Sequence, residues 1–192
     1  MVLEQILKDM GVVQNYTPQS LTCAKHFSSI TTPTISITNY LSRINKYADC
    51  SDSCYVLAFI YLDRLLQNNP GFALSNQNIH RLLLSAIILA IKYSDDFYAD
   101  NSTYAKIGGV SLKEVNMLEK DMLKLLRYDL YVSSNLYFQY ASELELQAQK
   151  IMERKFEGDE MEWSENCSKP IRSIASTTSI RTVSSLYDMS YD

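Results

Sequence analysis

Residues 75–93 read SNQNIHRLLLSAIILAIKY, and this stretch decides the fold. Between Leu82 and Ile91 a single polar residue, Ser85, interrupts the apolar run. The run is about half the ~20 apolar residues that a helix needs to cross a bilayer. Its apolar side chains fall on every side of a helix, so it reads as a helix buried in protein with other helices packed around it. Ser75 is the expected N-cap, with Leu74 and Ile79 at the two positions of a hydrophobic staple.

Working outward, the flanking segments supply those other helices. Upstream, residues 52–67 carry Val56, Leu57, Phe59, Ile60, Leu62, Leu65 and Leu66, a wide apolar face. Ser51 is the expected cap of that helix, and Asn68-Asn69-Pro70-Gly71 ends it. Residues 36–47 place Ile37, Tyr40, Leu41, Ile44 and Tyr47 on one stripe. Residues 13–34, with Pro18 and Pro33, read as an extended connection, and residues 2–12 as a short amphipathic helix. Downstream, a short helix over 103–107 stops at Gly108-Gly109. Ser111-Leu-Lys-Glu114 forms a capping box that opens a helix whose buried side is Val115, Leu118, Met122, Leu125 and Leu126. One more helix is predicted over 135–156.

From residue 157 the apolar periodicity fades and Ser/Thr density rises, which reads as a mostly disordered tail, with Ser184 after Arg181 as a candidate phosphorylation site. The chain therefore divides into residues 1–34, an N-terminal helix and connection; 35–156, the helical body; and 157–192, the tail. The class is all-α, five helices around a central buried helix, with a further helix at each end.

Composition narrows the function. Hydrophobic residues make up 46% and charged residues 21% of 192, with five glycines and four prolines, as in a helical globular domain. The net charge of −4 argues against nucleic acid, which selects a basic face. Cys23, Cys50, Cys54 and Cys167 form no CxxC pair, and His26 and His80 lie at no ligand spacing from them, so no metal site is expected. Cys50 and Cys54 read as two buried thiols sharing a helix face. Met1–Met10 lacks the apolar core of a signal peptide, so free thiols in a reducing compartment, cytoplasm or nucleus, are expected. Gly-rich phosphate loop, nucleophile elbow and metal cluster are all missing, so the reading is of a protein that is not an enzyme and takes no cofactor and no small-molecule substrate.

Four motifs, in order, carry a resemblance. Ile35-Ser-Ile-Thr-Asn-Tyr-Leu-Ser-Arg-Ile44 resembles the first-helix opening of P/U-type cyclins, which include the fungal phosphate-pathway cyclin and plant U-type cyclins. Tyr61-Leu-Asp-Arg-Leu65 resembles the second-helix signature shared by most cyclins. Ala90-Ile-Lys-Tyr-Ser-Asp-Asp96 resembles the end of the cyclin third helix, and Glu114 through Leu130 resembles the fifth helix without a gap. The likeness covers about residues 27–145. The Met-Arg opening of mitotic and S-phase cyclins is absent, and a second cyclin box is not expected after the first.

The resemblance implies a cyclin fold with a single cyclin box, and a partner, a cyclin-dependent serine/threonine kinase, which the chain would activate. It implies that Lys92 and Glu119 form the family's paired charges against backbone leading into the kinase's helix C. It implies that Tyr93, Leu123, Tyr128 and Leu130 face the kinase, and that Asp63 pairs with a first-helix arginine, here Arg43. Asp95 and Asp96 read as solvated carboxylates at a helix end. The competing readings are a DNA-binding cyclin-fold domain, which the acidic balance disfavours, and a cyclin-fold adaptor that no longer binds a kinase.

Overall fold

Six α-helices and one 3-10 turn make up the regular structure of the described residues, 24–156, in the computed structural model. The helix expected over 2–12 and the tail from 157 lie outside them. The 3-10 turn, Ala24–Phe27, is followed by α1 (Ile37–Tyr47), α2 (Ser53–Asn68), α3 (Ile79–Ser94), α4 (Asn101–Gly108), α5 (Leu112–Leu125) and α6 (Ser134–Phe156). Every residue of α3 from Ile79 to Ile91 is buried except Arg81. It is covered by α2, α5, α1, α4 and the 3-10 turn. None of the described helices is long and apolar enough to cross a membrane.

Local capping explains most boundaries. The Ser36 hydroxyl accepts from the Asn39 N–H at α1, and the Asp100 carboxylate from the Thr103 N–H at α4. Gly109 ends α4 at φ 69°, a left-handed conformation that suits glycine. Three expected caps are used differently, two of them because a distant group claims the side chain. Ser51 gives its hydroxyl to Asp95 Oδ1 at 2.6 Å, and α2 starts at Ser53. α3 starts four residues after Ser75; residues 75–78 form a turn in which the Ser75 N–H donates to Asn78 Oδ1 at 2.8 Å. The Ser111 hydroxyl caps α5 as read, but Glu114 turns from the return half of the box to Arg81, 2.7 Å away.

The α2 motif ties the later chain to the core. Leu62 and Leu65 are buried, while the polar members reach across. The Tyr61 hydroxyl donates to the Leu130 carbonyl at 3.0 Å, and Arg64 donates to the carbonyls of Asp129 (2.6 Å) and Tyr131 (3.0 Å). Asp63, buried, accepts from the Tyr140 hydroxyl at 2.5 Å and from the Gln67 amide at 2.7 Å. The expected Asp63–Arg43 pair is therefore corrected. α1 packs on α4 and α3, whereas α2 packs on α3 and α6, so the two side chains face different neighbours. Arg43 lies over the Tyr40 ring, 5.2 Å from its centroid, and its Nε has no partner among the described residues.

Two predictions follow from the packing. A Cβ at Gly108 would sit 2.3 Å from Leu84 Cδ2, and Leu84 is itself buried in α3. Gly108→Ala should therefore lower stability by about 1–3 kcal/mol, read by urea unfolding; an unchanged midpoint would contradict this packing. Burial holds the Asp63 carboxyl above its ordinary range despite the donors from Tyr140 and Gln67. A raised folded-state pKa favours the fold below the unfolded value, and that contribution is lost as pH rises through the raised value. Asp63→Asn should thus flatten the decline in stability above the usual carboxylate range; an unaltered pH profile would contradict the assignment.

Candidate functional site

The last turn of α3 leaves the core, and Lys92 is its cation, placed where the helix dipole favours positive charge. Lys92 Nζ donates to Glu119 Oε1 on α5 at 2.6 Å. The second oxygen, Oε2, accepts from the Asn101 side-chain amide at 2.7 Å, and the same amide nitrogen reaches Asn116 Oδ1 at 2.7 Å. Glu119 is thus fixed from α3 and from the first residue of α4. The side chains of Lys92 and Glu119 remain 25% and 18% exposed, so the pair sits at the rim of the core and not inside it. An ammonium has three N–H donors, and the bond to Glu119 uses one, which leaves Lys92 with capacity to bind outward.

Exposed aromatics flank the pair along the chain. Tyr93 is 49% exposed and Tyr128 66%. Arg127 and Tyr128 both have left-handed backbones, φ 56° and 59°. Non-glycine residues adopt this conformation at a cost of about 1–2 kcal/mol each. It is held by the Tyr128 N–H donating to the Leu123 carbonyl at 2.8 Å. Leu123 and Leu130, placed by resemblance on the same face, are half-buried and packed against the core.

Sequence reading missed several participants. Asn101 and Asn116 had no local signal. Phe97 and Tyr98, 89% and 60% exposed, occupy the link between Lys92 and Asn101. Large apolar side chains in water are the informative exception to burial. Asp95, read as a solvated carboxylate, instead accepts from the Ser51 hydroxyl at 2.6 Å and the Ser51 N–H at 3.1 Å; Asp96 is exposed. The 3-10 turn, within the segment read as extended, buries Phe27 completely and pairs His26 Nδ1 with buried Asp121 on α5 at 2.5 Å. Among the described residues, no three His, Cys, Asp or Glu side chains gather as a metal ligand set.

Comparison with known proteins bears on this surface. A cyclin family model matches residues 7–130. Cyclin-U4-2 of Arabidopsis thaliana is 44% identical over 119 residues, which cover 62% of this chain and 55% of that protein. Cyclin-U4-1 of the same plant is 40% identical over 144 residues, 75% of this chain and 71% of that protein. Cyclin-P4-1 of Oryza sativa subsp. japonica is 44% identical over 119 residues, 62% of this chain and 56% of that protein. The chain thus spans little more than half the length of two of these three relatives.

The placement of the pair at the rim makes a prediction about stability. Lys92→Ala should cost about 1 kcal/mol or less, the range of partly exposed ion pairs, as measured by urea unfolding. A loss of about 3 kcal/mol or more, the range of a broken buried pair, would make it a structural tie between α3 and α5.

Proposed function

The chain belongs to the cyclin family, and from that premise we propose that it is the regulatory subunit that activates a cyclin-dependent serine/threonine kinase. The observation that carries the reading is the preformed Lys92–Glu119 pair, fixed by Asn101 and set at the rim of the core. Tyr93, next to Lys92 in the chain, and Tyr128 hold aromatic area in water, and Leu123 and Leu130 keep partly exposed edges. Aromatic anchors around a few oriented polar groups are the usual composition of an interface centre. Its relatives named as U- and P-type cyclins support a cyclin of that type.

The mechanism is differential binding. A protein kinase is active only when the lysine–glutamate pair of its own lobe and its helix C are in place. A partner that binds the helix-in state more tightly than the helix-out state shifts the population toward activity. In this reading Lys92 and Glu119 grip backbone at the approach to helix C, and the surrounding aromatics fill the gap beside it. No side chain of the chain touches the transferred phosphoryl group. The chain's part is to present a rigid surface.

Removing one member of such a pair at an interface leaves the other desolvated and unmatched, at a cost of about 2–5 kcal/mol. A pull-down from native lysate with wild type and with Lys92→Ala/Glu119→Ala, both verified as folded, should recover a cyclin-dependent kinase with the wild type alone. Recovery of no kinase, or equal recovery by the double variant, would assign the fold to an adaptor role instead.

A further inference from the structure

Residues 48–52 link α1 to α2 against the C-terminal end of α3. Asp49 has φ 47°, a left-handed residue that turns the link. The sequence reading put Cys50 and Cys54 on one helix face; instead Cys50 lies in the link, half-buried, and only Cys54, on the first turn of α2, is buried. Cys54 Sγ lies 3.3 Å from Asp95 Oδ2, 3.5 Å from Ser94 Oγ and 3.4 Å from Ser51 Oγ. Cys50 Sγ lies 3.6 Å from the hydroxyl of Tyr55, the residue after Cys54, and each thiol is the largest influence on the other's titration. Ser94 and Asp95 directly follow Lys92 and Tyr93, so this thiol pair borders the candidate site without belonging to it.

We propose that Cys50 and Cys54 are an oxidisable dithiol, which a peroxide closes into an intrachain disulfide. The placement divides the two roles that such chemistry requires. Cys50, half-buried, is the more accessible of the two residues and supplies the sulfur that a small oxidant meets first. Cys54 stands behind it, sheltered, in position to resolve the product. The charge states follow the same division. The neighbouring Cys54 thiol draws the Cys50 thiol down against the opposing effect of burial, while Cys50 and burial push Cys54 up. The thiolate is the reactive form of cysteine, and a low-pKa, accessible thiol beside a resolving thiol is the arrangement of a peroxide-sensitive pair.

The chemistry balances. The Cys50 thiolate attacks one peroxide oxygen, the O–O bond breaks, and a sulfenic acid and hydroxide form. The Cys54 sulfur then attacks the Cys50 sulfur, its proton leaves with the sulfenic oxygen as water, and the S–S bond forms. Two thiols have lost two electrons and two protons, and hydrogen peroxide has been reduced to two waters. Dithiothreitol reverses the step by thiol–disulfide exchange.

The test uses the full chain carrying Cys23→Ser and Cys167→Ser, which leaves this pair as its cysteines. Hydrogen peroxide is added, free thiols are blocked with iodoacetamide, and the chain is cut with trypsin. Both cysteines fall in one tryptic peptide, residues 47–64. The expected product is that peptide unalkylated and lighter by two hydrogen atoms, becoming doubly alkylated after dithiothreitol. With Cys54→Ser added, Cys50 should instead be trapped by dimedone as the sulfenic acid. Two alkylated cysteines after peroxide, or Cys50 oxidised to sulfinic acid beside an alkylated Cys54, would overturn the proposal. None of these readouts involves a kinase, so they stand apart from the functional assignment.

Discussion

A helix that is apolar on every side must be covered on every side, and the rest of this structure follows from that demand. α3 offers buried residues from Ile79 to Ile91 in nearly unbroken sequence. Four helices and the 3-10 turn supply the cover. Because burial of apolar area is non-directional, it accounts for the gathering of these helices but not for their exact stagger. The stagger is set where polar groups at the helix ends find partners on neighbouring elements. Arg81 with Glu114 does this near the start of α3, and Lys92 with Glu119 does it near its end. The candidate site is one of these two struts, distinguished by the aromatic residues left in water beside it.

The second constraint is the clamp that α2 places on the chain after α5. Tyr61 and Arg64 hold three successive carbonyls, those of Asp129, Leu130 and Tyr131. Asp63 holds Tyr140 in α6. The left-handed pair Arg127–Tyr128 precedes this clamped segment. A strained backbone persists when its surroundings over-determine it, and here the clamp on one side and the end of α5 on the other do so. The result is a tyrosine ring held outward on a rigid base. In an interface, that arrangement lowers the entropy lost on binding.

Much of this was legible in the residues. The central helix was evident from the run at Leu82–Ile91, and the helices around it from periodicity at Ile37, Leu57 and Val115. A local cap was legible where the capping side chain had no distant competitor, as at Ser111. Caps were misread at Ser51 and Glu114, whose side chains tertiary contact gives to Asp95 and Arg81, and at Ser75, where a local turn closed through Asn78 delays the helix. Asp63 was recognised as needing a partner, but the partner lies 77 residues away on α6, a contact that no local pattern encodes. The pair Lys92–Glu119 was anticipated through resemblance; its third member, Asn101, was not, because an asparagine at a helix start ordinarily signals nothing beyond capping. His26 with Asp121, 95 residues apart, was invisible for the same reason as Asp63 with Tyr140.

The central claim is that this surface activates a kinase and does more than hold one. The most direct measurement is titration of the purified chain into the purified kinase, reading phosphorylation of a peptide substrate at fixed ATP while binding is followed in parallel. The account predicts activity rising from a low baseline and saturating together with binding, with the Lys92→Ala/Glu119→Ala chain reaching the same plateau only at much higher concentration. Saturated binding with no rise in activity would contradict it, and would make this cyclin a scaffold whose contact leaves the kinase's helix C where it was.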